Sequence, residues 1–173
     1  LRENPILIIL LSYGFVVMSL AINYINLMPA FAKESLGLDA GGLGILLSSA
    51  GAGALAGSLS VSSLRNFTHK GWLLVSSGML WGLSILAFSS LNALSLSIAL
   101  LLFCGFCHAA FFATQMTLIQ SNTKKGMQGR VTSMFALSFG LMPIGVLPVS
   151  AIAEYYGISY GLGLAAVVIV TAG

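Results

Sequence analysis

Long, uninterrupted apolar segments are the feature of this sequence that most constrains its fold. A helix needs about 20 apolar residues to cross the hydrocarbon core of a bilayer. Six segments reach or approach this length, and they cover residues 6–28, 41–64, 71–88, 94–120, 131–153 and 158–173. A transmembrane β-strand would alternate apolar and polar side chains, whereas these segments are continuously apolar. The sequence therefore predicts an all-α integral membrane protein whose six transmembrane helices form one bundle.

The composition does not provide a surface that water could cover. Charged residues make up 6% of the chain and the mean hydropathy is +1.02, whereas a soluble domain carries about 25% charged residues. The chain starts at Leu1, and its last apolar segment stops at Gly173 without a flanking charge. We therefore expect residues 1–173 to form a single transmembrane domain that is a fragment of a longer protein.

The basic residues are distributed unevenly between the two sides of the predicted bundle. Lys33 lies on one side, and six of the seven lie on the other: Arg2, Arg65, Lys70, Lys124, Lys125 and Arg130. Cytoplasmic loops of membrane proteins carry an excess of Lys and Arg. We therefore expect the side with six basic residues, and both ends of the chain, to face the cytoplasm, with the protein in the inner or plasma membrane.

His108 is the one titratable side chain near the middle of a predicted transmembrane helix. Ionisable residues at this depth are unfavourable in lipid and usually face an interior cavity. Phe111 and Gln115 follow on the same helical face, so the fourth segment has a stripe of titratable, aromatic and amide groups. Such a stripe suits the substrate path of an amphipathic organic molecule. The alternative is a neutral imidazole that bonds to a neighbouring helix.

The first segment carries a polar stripe that includes Ser19, Asn23 and Asn26 at helical spacing. These side chains could form hydrogen bonds between helices inside the bundle, each contributing about 1 kcal/mol. They could instead line a water-filled cavity. We favour the cavity, because two asparagines in the outer half of one helix exceed what packing requires.

Small residues and prolines mark the second and fifth segments. Gly53 and Gly57 lie one turn apart on one face, where small residues let helices approach closely. Pro143 and Pro148, with Gly145 between them, each remove a backbone donor and kink a helix. Irregular helices at matching positions of two helix triplets are typical of an inverted repeat of three plus three helices.

The sequence Cys104–His108 matches the C-x-x-C-H pattern of covalent haem attachment. It lies inside an apolar helix, where the two cysteines are better explained as small packing residues. His69 lies in a turn far from His108, so the sequence predicts no metal site. We also expect no cofactor and no enzymatic activity, because no catalytic triad, paired carboxylates or phosphate loop is present.

Three stretches together resemble the C-terminal six-helix half of a major facilitator superfamily transporter. They are GAGALAGSLSVSSLRNFTHKG, TQMTLIQSNTKKGMQGRVTSMF and GLMPIGVLPVSAIAEYYG. Within that superfamily the chain is most similar to the drug and siderophore exporter branch. The resemblance implies a twelve-helix fold of two bundles around a central cavity, with the N-terminal half outside this chain. The first and fourth segments would line the cavity, the second and fifth would form the seam between bundles, and the third and sixth would face lipid.

The resemblance also implies a cytoplasmic loop that acts as a latch. Gly57 and Arg65 fit the superfamily's G-x-x-x-D-R-x-G-R spacing, and Gly129 and Arg130 match the Gly-Arg that leads into a later helix of this branch. The residues that depart from the signature are Val61, Ser62 and Leu64.

The resemblance therefore implies a secondary active transporter that moves a small amphipathic molecule by alternating access, as an exporter driven by protons or another coupling ion. A metabolite importer of the same superfamily is one alternative. A membrane sensor that does not transport, or a membrane-embedded enzyme, is another. The expected partners are the substrate, the coupling ion, the lipid bilayer and the missing N-terminal half, and no nucleic acid.

Overall fold

The computed structural model describes residues 5–21, 23–34, 36–63, 69–89 and 93–140. Within these ranges the regular elements are all helical: α1 (Pro5–Ala21), α2 (Asn23–Glu34), α3 (Ala40–Ser63), α4 (Lys70–Ser89), α5 (Leu94–Ser121) and α6 (Gln128–Gly140). A short 3₁₀ turn, Lys125–Met127, precedes α6. The all-α prediction is therefore confirmed for the part of the chain that the structure describes.

Four stretches of the described chain are long and apolar enough to cross a membrane. They are Pro5–Glu34, Ala40–Ser63, Lys70–Phe88 and Leu94–Ser121. This result supports an integral membrane protein. The fifth predicted helix, 131–153, begins within α6 and continues beyond the described residues, and the sixth, 158–173, lies outside them. The six-helix count and the inverted repeat remain predictions.

The first membrane-spanning stretch is longer than the sequence predicted. The predicted helix ended before Pro29, but α2 continues through Pro29 to Glu34. Phe31 is fully buried in this extension, and its ring lies 4.5 Å from that of Phe88 on α4. Packing against α4 therefore keeps the chain helical beyond the proline, and backbone groups that a proline frees in a membrane helix can be satisfied by its neighbours.

A short turn connects α2 to α3. Gly37 adopts a positive φ of 62°, a conformation that glycine reaches without steric cost. The Leu38 N–H donates to the Ala32 carbonyl at 2.8 Å, which satisfies an acceptor near the end of α2. The Asp39 carboxylate accepts from the Gly42 N–H at 2.9 Å and so caps the first turn of α3.

The most extensive contact between described helices joins α3 and α5. A Cβ atom on Gly53 would overlap the carbonyl group of Leu102, and one on Gly105 would overlap that of Ala50. Backbone therefore lies directly on backbone at this crossing, from both sides. Only glycine fits such an approach, which is how helices associate closely in lipid.

Helix α5 lies at the centre of the described bundle, because it contacts α1, α3, α4 and α6. Its contact with α6 is aromatic: the rings of Phe112 and Phe135 lie 5.7 Å apart. On the α4 side, Cys104 lies against Trp81 and Ser84 and also reaches Tyr24 of α2. The α5 face that carries Cys104 is therefore where the first span, α4 and α5 converge.

Candidate functional site

The predicted stripe on α5 is present and points into the described bundle. Cys104, Phe111 and Gln115 are buried, and His108 is half-buried. Their separations of three, four or seven residues put them on one side of a helix. The side chains of α1 and α4, rather than solvent, meet this stripe.

The imidazole of His108 stacks on the indole of Trp81. Their ring centroids are 4.5 Å apart and the planes are inclined by 18°, while Trp81 itself is 0% exposed. The family resemblance implied that the third segment, which contains Trp81, faces lipid. The structure places His108 beside that helix, and its role on a substrate path remains a prediction.

Two more ring contacts extend this pair into a cluster. The ring of Phe111 lies 6.0 Å from Trp81 and 5.8 Å from Tyr13, the latter in an edge-on arrangement. The four rings of Tyr13, Trp81, His108 and Phe111 are called the aromatic cluster below. Such geometries contribute about 0.5–1.5 kcal/mol per pair beyond the burial of area. The cluster joins α1, α4 and α5.

Gln115 connects α5 to α1 immediately beside the aromatic cluster. Its Nε2 donates to the Leu10 carbonyl at 3.1 Å, and the side chain is 0% exposed. The amide lies directly over Gly14, where a Cβ would overlap it. The structure therefore shows Gln115 in a helix–helix contact, and its place on the substrate path remains a prediction.

Three polar atoms at this site are buried without a hydrogen-bond partner among the described residues. They are the Tyr13 hydroxyl, the Trp81 Nε1 and the Gln115 Oε1. A buried polar atom that lacks a partner costs about 1–3 kcal/mol. These two donors and one acceptor lie in or beside the aromatic cluster. They can therefore bond to a polar group of a bound molecule.

A cleft of about 530 Å³ opens between α1 and α4 next to the aromatic cluster. Its described lining is mainly apolar: Ile9, Leu10, Ser12, Tyr13, Val16, Gly71, Leu74 and Val75. Tyr13 belongs to both the cleft and the cluster, and Leu10 accepts the bond from Gln115. The cleft has the volume and apolar lining typical of a site for a small organic molecule.

The remaining substrate-path candidates on the first span do not share one environment. Ser19 is buried in α1, whereas Asn26 of α2 is exposed. Asn23 lies at the start of α2, and nothing of its side chain is described. The polar stripe therefore extends from the packed interior of α1 to the exposed surface of α2.

The latch candidates are separated along the described chain. Gly129 and Arg130 lie exposed in the first turn of α6, and the Gly129 carbonyl accepts from Ser133 at 2.9 Å. Gly57 is instead buried, and a Cβ there would overlap the carbonyl of Phe106 on α5. Four further predicted residues lie outside the described ones: Arg65, Pro143, Gly145 and Pro148.

Metal binding has no support among the described residues. They contain no group of three or more His, Cys, Asp or Glu side chains that could hold a metal ion. Cys104 and Cys107 are buried free thiols in the packed interior of the bundle.

Sequence comparison decides the family. The chain matches the transmembrane secretion effectors, of the major facilitator type, over residues 3–173. The chain belongs to this family. No curated protein and no solved structure matches it. Membership in this family supports a membrane transporter that lies in a lipid bilayer and has a small-molecule substrate.

Sequence reasoning missed Tyr13 and Trp81 as members of this site. A signal was present for Trp81, because tryptophan in membrane proteins concentrates at the interfaces, and Trp81 lies in the middle of a spanning helix. Trp72, by contrast, is 75% exposed near the start of the same helix. A tryptophan far from the interface indicates a specific contact, which here is His108.

Proposed function

We propose that this transmembrane secretion effector exports small amphipathic organic molecules through a site built on the aromatic cluster. The observation that carries the proposal is the position of the apolar α1–α4 cleft beside three buried polar atoms that lack described partners. An amphipathic molecule matches both parts, because its apolar body can occupy the cleft while its polar group bonds to Tyr13, Trp81 or Gln115.

The charge distribution supports a substrate without several charges. The spanning stretches carry their charged residues only at their ends, Lys33 and Glu34 in α2 and Lys70 in α4, and α5 has none. A metabolite with several charges would require compensating side chains at the site, because a charge inside the membrane is unfavourable. The aromatic faces and hydrogen-bonding atoms near His108 favour a neutral or singly charged ligand.

The transport cycle belongs to the same proposal. The chain would form the C-terminal six-helix half of a twelve-helix transporter of the drug and siderophore exporter branch, with a three-plus-three inverted repeat. Alternating access would be driven by protons, with either His108 or a carboxylate in the N-terminal half as the coupling group. Ser19, Asn23 and Asn26 would line the path, and Gly129 and Arg130 would form the cytoplasmic latch.

The proposed location is the cytoplasmic membrane, with both ends of this chain facing the cytoplasm. The support is the uneven distribution of Lys and Arg. Lys70 and Lys124 lie at the same predicted end of the bundle, and Lys33 lies at the other. Export would then proceed from the end that carries Lys70 towards the end that carries Lys33.

The two tryptophans of this chain provide a matched test. Trp81→Ala removes the central ring of the aromatic cluster, whereas Trp72→Ala removes an exposed ring from the same helix. Inside-out membrane vesicles that contain the full-length protein are energised with a proton gradient and supplied with a lipophilic fluorescent dye. Trp72→Ala should accumulate the dye normally, and Trp81→Ala should lose most of the accumulation.

Trp81→Phe keeps an aromatic ring and should retain partial uptake, which separates loss of the site from loss of folding. Two results would overturn the proposal. Uptake that is equal in all three variants would place the substrate elsewhere. Uptake that persists after an uncoupler collapses the proton gradient would exclude proton-driven export.

A further inference from the structure

A second cleft, of about 320 Å³, lies on the other side of α4 from the aromatic cluster's cleft. Its described lining comes from the end of α3, the start of α4 and the last turns of α5: Ser58, Val61, Ser62, Lys70, Leu73, Ala113, Thr114 and Thr117. Apolar and polar side chains alternate around it, with one basic residue among those described. The transport mechanism proposed above uses none of these residues.

Thr114 gives this cleft an unused hydrogen-bond donor. The residue is 2% exposed, and its hydroxyl has no hydrogen-bond partner within the described part of the chain. Threonine on a helix commonly satisfies its hydroxyl by donating to a carbonyl one turn earlier. Thr117, on the same wall of the cleft, does so by donating to the Ala113 carbonyl at 2.8 Å. Thr114 departs from that pattern in the wall of the cleft.

The other hydroxyls of the cleft have already donated their hydrogens. Ser58 donates to the Leu55 carbonyl at 2.9 Å, and Ser62 donates to the Leu59 carbonyl at 2.7 Å. The donors that remain available are therefore the Thr114 hydroxyl and the half-buried Lys70 ammonium. A site that offers donors and a positive charge selects a ligand with an anionic acceptor group.

Lys70 also begins α4, a helix of 20 residues. The first N–H groups of a helix have no intrahelical partner, and the helix dipole favours a negative charge there. The positive side chain and the helix N-terminus thus act at the same point, above the apolar Val61 and Leu73 that line the cleft.

We propose that this cleft binds the phosphate-bearing headgroup of an anionic membrane lipid, with Lys70 and Thr114 as the ligating side chains. The phosphate accepts from the Lys70 ammonium and the Thr114 hydroxyl, and the attached glycerol and first acyl carbons contact Val61 and Leu73. A lipid fits better than a soluble phosphate, because most of the surface that the lining exposes to the cleft is apolar and the cleft lies along membrane-spanning helices. In the orientation proposed above, Lys70 faces the cytoplasmic leaflet, where anionic lipids concentrate.

Native mass spectrometry of the purified full-length protein in detergent tests the site without any transport measurement. Phosphatidylglycerol is titrated against phosphatidylcholine, which carries the same phosphate without a net negative charge. Lys70→Gln should weaken phosphatidylglycerol binding about fivefold, which is the contribution of one basic residue near an anionic surface. Thr114→Val, which keeps the shape but removes the hydroxyl, should weaken it about threefold.

Matched controls are available for both substitutions. Lys33→Gln removes the same charge at the opposite end of the bundle and should leave binding unchanged. Thr117→Val removes a hydroxyl that is already bonded to Ala113 and should also leave it unchanged. Unaltered binding of phosphatidylcholine shows that each variant is folded.

The outcomes separate the possible ligands. Phosphatidylglycerol binding that depends on Lys70 and Thr114 and resists inorganic phosphate supports the lipid site. Displacement by inorganic phosphate alone would mean that the cleft takes a soluble phosphate group, and would overturn the lipid assignment. Equal weakening by the control variants, or equal binding of the two lipids, would also overturn it. Since no transport is measured, these results stand apart from the test of export.

Discussion

His108 and Trp81 form a flat stack between α5 and α4, with ring centroids 4.5 Å apart and planes inclined by 18°. In this arrangement one face of the imidazole is covered by an aromatic ring, while its two nitrogens lie at the edge of the stack. The contact therefore limits the tilt of the imidazole relative to the indole.

The first prediction is that His108 contributes to transport through both its polar edge and its titration. His108→Gln keeps a hydrogen-bonding group of similar reach, so substrate binding should survive in part while the pH dependence of transport flattens. His108→Leu should remove both without unfolding the bundle, because leucine is favourable in lipid. The measurement is substrate uptake by the full-length protein over a pH series. His69→Gln, at an exposed position, is the control, and normal uptake by His108→Leu at every pH would make His108 a packing residue.

The second prediction concerns the contact between Gln115 and α1. Gln115→Leu preserves volume but removes the bond from Nε2 to the Leu10 carbonyl. Interhelical hydrogen bonds in membranes contribute about 0.6–2 kcal/mol, so the variant should unfold at a lower temperature in detergent. Gln120→Leu, at an exposed position of the same helix, should change the unfolding temperature little. An equal shift in both variants would show that the Leu10 bond adds no stability.

The sequence predicted the elements of this fold better than their contacts. Apolar length predicts α3, α4 and α5 closely, because a helix that spans a bilayer must satisfy its own backbone hydrogen bonds regardless of its neighbours. The extension of α2 past Pro29 could not be predicted in this way. It depends on Phe31 packing against Phe88, a contact between residues far apart in sequence.

At the candidate site, too, the sequence predicted the helical positions of the residues better than their contacts. The stripe of His108, Phe111 and Gln115 follows from helical periodicity alone. Periodicity does not reveal which helix the stripe meets, so Tyr13 and Trp81 were missed and Gln115 was not recognised as a helix–helix contact. In membrane bundles nearly every helix face is apolar, and hydropathy therefore carries little information about which faces pack together.

The third prediction tests the α3–α5 crossing with two glycines of one helix. Gly53→Ala places a methyl group on the Leu102 carbonyl and should force the two helices apart, since overpacking typically costs about 1–3 kcal/mol. Gly51→Ala meets nothing within 4 Å and should be tolerated. Thermal unfolding and the yield of monodisperse protein measure the difference. Equal stability of the two variants would mean that the crossing is looser than the structure shows.

The fourth prediction is the orientation of the bundle. Single cysteines are introduced at positions 36 and 125 in a background that lacks Cys104 and Cys107. Position 36 lies in the turn between α2 and α3, and position 125 lies in the turn before α6. An impermeant thiol reagent added to intact cells should label position 36 only, because the basic turns face the cytoplasm. Labelling of position 125 instead would invert the proposed topology.

The last prediction is that Arg130 stabilises one state of the transport cycle. Its side chain is exposed in the first turn of α6, directly after Gly129. Arginine can bridge a carboxylate or helix-end carbonyls through two parallel hydrogen bonds, a geometry that lysine does not reproduce. Arg130→Lys should therefore slow transport several-fold while expression and substrate affinity stay close to normal.

A neighbouring position controls for local disturbance of α6. Gln128→Ala lies in the same exposed first turn and should transport at the normal rate. Arg130→Gln removes the charge altogether and should be at least as slow as the lysine variant, because it also loses the electrostatic attraction. The decisive measurement is the transport rate of the full-length variants at saturating substrate, alongside their substrate affinity. If Arg130→Lys transports at the normal rate, the residue acts only through its charge, and the latch must be sought among other residues of the cytoplasmic turns.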